Sequence, residues 1–186
     1  MIDHFGFLAP FYDRVIPPSD LNRLRERLRL PTAGRLLDAG GGTGRVSSQL
    51  RHLVDEVIIS DPSALMLKQA QLKGKLQPAQ AHAERLPFPD GSFDRVVVVD
   101  ALHHFANQRE AVGDLLRVLK PGGRLLIEEP DIHRLIVKFV ALGEKAALMR
   151  SHFISAEQLR DMVAAQGYSA VIERDGQFTA WVSVDK

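Results

Sequence analysis

The chain has 186 residues, 45% hydrophobic and 25% charged, with a formal net charge of +1. That is enough chain for one domain with a sizeable core, and so balanced a charge gives no global pull toward nucleic acid or an anionic membrane surface. Cysteine is absent, which excludes disulfides, thiolate metal sites and cysteine nucleophiles.

No apolar run approaches the roughly 18 residues of a membrane span, and MIDHFGFLAPFYDR lacks the order of a signal peptide, so the sequence reads as cytoplasmic. Two helical pieces flank Pro17 and Pro18. The second covers 19–30, with Ser19 as N-cap and Leu21, Leu24 and Leu28 at helical spacing. Arg23, Arg25, Arg27 and Arg29 alternate along it and read as a solvated surface. From Leu36 strands and helices alternate. A strand over 36–38 ends in a carboxylate, a glycine turn covers 40–44, and a helix is expected over 45–53. Glycine tolerates positive φ and close ligand approach, and a strand, tight turn and helix start set backbone N–H groups around a nucleotide-sized ligand. EVIIS at 56–60 is the next strand, with a helix opened by Asp61-Pro62. A short strand at 76–81 precedes the breaker-rich loop LPFPDGSF, and RVVVV at 95–99 reads as a strand buried on both faces. A helix over 108–119, stopped by KPGG, leads to a strand at 125–128. Such alternation predicts βαβ units and a parallel sheet. The end differs: a helix over 156–165, stopped by Gly167, then strands at 168–174 and 178–184 joined by Asp175-Gly176 as a hairpin. No repeat or linker divides the chain, so residues 1–186 are expected to form one domain.

The glycine spacing is G-x-G-x-G, with Gly40, Gly42 and Gly44. The dinucleotide fingerprint G-x-G-x-x-G/A fails at Arg45 when counted from Gly40 and at Ser47 when counted from Gly42. Three further features fall at the expected carboxyl edge of the sheet, where open α/β folds bind ligands. Asp61 is placed to accept from ribose hydroxyls, its plainer role being a helix N-cap. His82-Ala83-Glu84 follows the third strand, and Asp100-Ala101-Leu102-His103-His104 follows the fourth. A metal reading of His103, His104, Glu128, Glu129, Asp131 and His133 finds no tight ligand spacing, so no metal is expected.

LLDAGGGTG, SDPSALMLKQA, AERLPFPDGSFDRVVVVDALHHF and LLRVLKPGGRLLIEEP occur in this order over about residues 35–130. In these motifs, and in the opening FGFLAPFYDRV, the chain resembles class I S-adenosylmethionine-dependent methyltransferases of the type 11 group, which includes ubiquinone and menaquinone C-methyltransferases. The resemblance implies an α/β, Rossmann-like fold: a seven-stranded, mostly parallel sheet with an antiparallel last strand and helices on both faces. It implies S-adenosylmethionine as cofactor, S-adenosylhomocysteine as product, and in-line methyl transfer to a small hydrophobic or aromatic acceptor. It places Asp38 and the backbone of Gly40 and Gly42 at the methionine part of the cofactor, Asp61 at the ribose, and Pro62 and Met66 beside the adenine. Ala83 would offer its N–H to the ring, and the Asp100 carbonyl would meet the amino group. Tyr12 would close over the site from a helical lid over 1–30. Many relatives have aspartate where this chain has His82, so His82 or Glu84 is expected at the adenine amine. His103 and His104 are candidate bases near neutral pH. A short insertion at 131–152, with Leu135, Ile136, Phe139, Val140 and Leu142 on one face, is expected to help build the acceptor pocket. The alternatives are a catalytically silent cofactor-binding domain and an NAD(P)-dependent oxidoreductase.

Overall fold

A computed structural model describes Ala9 and residues 19–134, 151–176 and 178–186. The roles expected of Tyr12 and of Leu135, Ile136, Phe139, Val140 and Leu142 lie outside the described residues. In chain order the elements are α1 (Leu21–Arg27), β1 (Arg35–Ala39), α2 (Ser47–Leu50), β2 (Glu56–Asp61), α3 (Ala64–Leu72), β3 (Gln77–Gln80) and β4 (Phe93–Val99). A single 3-10 turn (Leu102–His104), α4 (Gln108–Val118), β5 (Leu119–Pro130), α5 (Ala156–Ala164), β6 (Ala170–Arg174) and β7 (Thr179–Asp185) follow.

The strands form one seven-stranded sheet in the order β3-β2-β1-β4-β5-β7-β6. Five strands pair in parallel, and β7 lies antiparallel between β5 and β6. This is the expected mostly parallel sheet with an antiparallel last strand, and its core follows from the strand period of two. Leu37, Val96, Val98 and Ile127 face one way, against Val112 and Leu115 of α4 and Leu159 of α5. Leu36, Ile59, Val97 and Leu126 face the other, against Leu24 of α1, Leu50 of α2 and Leu67 of α3. Burying each such side chain contributes about 1.5–3 kcal/mol, so both faces of the sheet are covered by helices.

Several element ends differ from the sequence reading. Asp20, not Ser19, caps α1, its side chain accepting from Arg23 N–H. The helix expected from Arg45 begins only at Ser47, because Gly44 still holds φ at +71°, a value no right-handed helix accommodates. Ser63, not Asp61-Pro62, opens α3 by accepting from Met66 N–H. The KPGG segment is no loop: β5 already pairs Leu119 with Phe93 and shifts register before Arg124 meets Arg95. The α1 arginines are not merely solvated either. Arg27 lies 4.2 Å over the Trp181 ring and bonds Glu173 at 2.8 Å, fastening the helix to β7 and β6. Gln158 and Ser155 form a reciprocal capping box at the start of α5. Replacing Ser155 by alanine is expected to lower stability by about 0.5–2 kcal/mol, read from urea unfolding midpoints.

The chain runs outward from β1 through β2 and β3, then returns to β4 on the other side of β1. The loops after β1 and β4 therefore face each other across the switch point, the crevice where α/β sheets take ligands.

Candidate functional site

Asp38 is the last residue but one of β1 and is 2% exposed. Ser47 Oγ donates a hydrogen bond to its Oδ2. Burial raises the Asp38 pKa to about 6, against the opposing pull of the Ser47 hydrogen bond and the Arg45 charge, with Asp61 adding a smaller push upward. Beyond it Gly40 and Gly41 both donate to Ser60 O, at 2.8 and 3.2 Å, which folds the turn back over the end of β2. Gly40 and Gly42 hold φ at +73° and +54°. A Cβ at Gly40 would come 2.7 Å from the Ala101 Cβ, and so the β1 and β4 loops touch there. Among the described residues, the atoms nearest a Cβ at Gly42 would be Asp61 Oδ2 and Met66 Sδ, both at 3.9 Å.

Asp61 ends β2 and organises the backbone on two sides. Its Oδ2 accepts from Gly42 N–H at 3.0 Å and its Oδ1 from Ser63 N–H at 2.8 Å. A carboxylate oxygen can accept more than one hydrogen bond, so bracing the turn is compatible with a role toward a ligand hydroxyl. Pro62 is exposed and Met66 buried at the start of α3. After β3, His82 is exposed and Ala83 buried. Glu84 Oε1 accepts from Asn107 N–H at 3.0 Å, tying this loop to the cap of α4.

The loop after β4 opens with Asp100 at φ +54°, its N–H bonded to Glu128 O at 2.9 Å. His103 is 2% exposed and stacks on Phe153 with centroids 4.3 Å apart. His104 tilts against it at 4.0 Å, and its Nδ1 lies 3.2 Å from Ser151 Oγ. Burial and the neighbouring His103 push the His104 pKa down to about 3. The candidate metal residues turn to different partners. Glu128 accepts from the Trp181 indole, Glu129 holds His103, Asp131 faces Arg174, and His133 reaches Glu157.

Asp38, Gly40, Gly42, Asp61, Pro62, Met66, His82, Ala83, Glu84, Asp100, His103 and His104 thus all sit at the carboxyl ends of β1 to β4 or just beyond. The sequence reading missed Ser47 as partner of Asp38. It also weighed Glu129 only as a metal ligand.

Residues 37–127 match the methyltransferase domain family. Over 142 residues the chain is 39% identical to the ubiquinone/menaquinone biosynthesis C-methyltransferase UbiE of Stutzerimonas stutzeri. That match covers 67% of this chain and 56% of the relative, so the chain spans about half the length of the protein it matches. Among solved structures, a SAM-dependent methyltransferase of Thermotoga maritima, described as a possible histamine N-methyltransferase, superposes with a TM-score of 0.80. It is 21% identical, with 98% of this chain and 97% of that one covered. The cyclase SpnF superposes with a TM-score of 0.79 at 18% identity, covering 98% of this chain and 93% of its own. At these identities the likeness is one of fold, and the same fold carries more than one chemistry.

Proposed function

We propose, from the premise that residues 37–127 are a methyltransferase domain, that the protein transfers the methyl group of S-adenosylmethionine to a small hydrophobic or aromatic acceptor. The observation that carries this reading is the room at Gly42, where a Cβ would meet only Asp61 Oδ2 and Met66 Sδ of the described residues, at ordinary contact distance. A Cβ would fit there without displacing a described residue, beside a carboxylate for hydroxyls and a thioether for an aromatic ring. The donor set fits the cofactor's parts: Asp38 for the cationic methionine end, Asp61 for the ribose, and Ala83 with His82 or Glu84 for the adenine. When bound, the cofactor supplies a methyl group already activated on sulfonium, so no protein nucleophile is required. The chain's own part is to orient the two reactants in line and exclude water, with one of His103 and His104 receiving the acceptor's proton. Residues 1–30 and 131–152 are proposed to shape the acceptor side.

The oxidoreductase alternative needs a third glycine where Arg45 or Ser47 stands, and a six-stranded order without the antiparallel β7. Calorimetry with S-adenosylmethionine, S-adenosylhomocysteine and NADH tests it: the first two are expected to bind, and binding of NADH alone would overturn the proposal. A silent cofactor-binding domain is separated by turnover, since labelled methyl should appear on apolar phenols or quinols offered as acceptors. Asp61→Ala is expected to weaken S-adenosylhomocysteine binding by about 1–3 kcal/mol, and binding at full strength would remove Asp61 from the ribose site.

A further inference from the structure

Two consecutive glutamates of β5 clamp the peptide groups on either side of Asp100. Asp100 holds φ at +54°, a left-handed backbone that a non-glycine residue keeps only when its neighbours enforce it. On one side Asp100 N–H donates to the Glu128 main-chain oxygen at 2.9 Å. On the other, the Glu129 side chain reaches across from the neighbouring strand: its Oε1 accepts from Ala101 N–H at 3.0 Å and from Leu102 N–H at 2.7 Å. Its Oε2 lies 2.6 Å from His103 Nδ1, which holds the carboxylate in place. The Glu129 side chain is only 12% exposed, so little water competes for it. Further along, Gln108 Nε2 donates to Leu102 O at 3.1 Å and His152 N–H to His103 O at 2.7 Å. The turn after β4 is thus held from β5, from α4 and from the segment around His152.

We infer that Glu129 is a positioning residue for the amino end of the cofactor, because it sets the direction of the Asp100 carbonyl. The inference rests on the S-adenosylmethionine reading and deepens it. The Asp100–Ala101 peptide is trans, so its C=O runs opposite its N–H. With the Ala101 N–H aimed at Glu129, the Asp100 carbonyl is directed away from Glu129. This is the carbonyl that the cofactor reading brings to the α-amino group. A carbonyl oxygen has two lone pairs, so the role is compatible with a protein partner as well. A hydrogen bond from an ammonium group is strong when the acceptor lies along the N–H line and weakens steeply off it. A plain capping role would stop at Leu102, whose N–H opens the 3-10 turn. The bond to Ala101 is the one that turns the peptide carrying the Asp100 oxygen. Its consequence is selectivity, since a ligand without an α-amino group gains nothing from that alignment.

The test compares S-adenosylhomocysteine with its desamino analogue, which lacks only the α-amino group, by calorimetry on the full chain; no methyl acceptor is needed. Glu129→Leu removes the acceptor for both N–H groups. It is expected to weaken S-adenosylhomocysteine binding by about 10- to 100-fold, the worth of one hydrogen bond to a charged group. Affinity for the desamino analogue should stay within about threefold of wild type, because the variant and the missing amino group act on the same bond. Glu129→Gln, whose amide oxygen can keep both backbone bonds, is expected to bind S-adenosylhomocysteine within about threefold of wild type. Glu129→Asp draws the carboxylate back by one methylene and is expected to show the leucine pattern more weakly; it carries the comparison if the leucine variant does not fold. A wild-type protein that binds S-adenosylhomocysteine, with variants that lose both ligands equally or lose neither, overturns the inference alone: Glu129 is then a cap of the turn and the cofactor reading stands. A wild-type protein that binds neither ligand overturns the cofactor reading, and the role of Glu129 falls with it.

Discussion

Asp38→Asn is expected to make the ligand-free protein more stable at neutral pH and to strip it of cofactor affinity. The carboxylate is buried against the glycine turn, with Ser47 donating to it, and its folded pKa is near 6 against an ordinary value of 3.8. A carboxyl whose pKa rises on folding favours the folded state only while protonated. Its contribution is full below pH 3.8, fades as pH rises through about 6, and leaves a cost of about 3 kcal/mol above that. Asparagine keeps an oxygen for the Ser47 hydroxyl without the charge, so most of that cost should vanish, a gain of up to about 3 kcal/mol at pH 7. At pH 4 the two proteins should unfold at nearly the same urea concentration. Binding runs the other way. A cationic ligand end needs the ionised form, so wild-type affinity for S-adenosylhomocysteine should fall up to tenfold per pH unit below about 6 and level off above it. In Asp38→Asn affinity should drop by about 3–4 kcal/mol at pH 7 and lose this pH dependence. Paired urea and calorimetric titrations at pH 5 and 7 decide it. A variant less stable than wild type at pH 7, or one that binds normally, would show that Asp38 is not a charge held in reserve for a cation.

What the sequence made legible was mostly local chemistry. LLDAGGGTG announces its turn because only glycine sits comfortably at +73° and +54°, and the four valines after Arg95 announce a central strand because their side chains are all apolar. Reading Asp175-Gly176 as a hairpin turn also marked the antiparallel β7, which separates this sheet from a six-stranded dinucleotide fold. The hidden parts depend on neighbours distant along the chain. The Arg27–Glu173 bond spans 146 positions, so an alternating row of arginines looked solvated until Trp181 and Glu173 were placed beneath it. Glu129 shows the same limit. In the sequence it is the second of two glutamates after an apolar strand. It becomes a partner of His103 only because β5 pairs beside β4 in parallel register, bringing both strand ends to one edge. Helix starts were misplaced for a simpler reason: a side-chain cap or a positive φ shifts an end by one or two residues, and Asp20, Gly44 and Ser63 each do so.

Leucine at Gly42 should abolish cofactor binding while the fold survives, whereas alanine at Gly40 should damage the fold itself. The two positions are two residues apart and both hold positive φ, so they share the backbone cost of a side chain there, about 1–2 kcal/mol. They differ in what the side chain meets. At Gly40 the new Cβ lies 2.7 Å from the Ala101 Cβ and 3.1 Å from the Phe105 ring. The β1 and β4 loops would have to part, adding about 1–3 kcal/mol of overpacking. At Gly42 the nearest atoms of the described residues are Asp61 Oδ2 and Met66 Sδ, both 3.9 Å away. A leucine there would set its Cβ in ordinary contact with the ribose and adenine candidates, where the described residues leave room for it. Gly42→Leu should therefore unfold at a urea midpoint only slightly below wild type, with Asp61 still bonded to the residue-42 N–H, yet give no heat with S-adenosylhomocysteine. Gly40→Ala should lose more stability than Gly42→Leu even though its side chain is three carbons smaller. Binding of S-adenosylhomocysteine by Gly42→Leu at wild-type strength would place the cofactor elsewhere on the sheet edge.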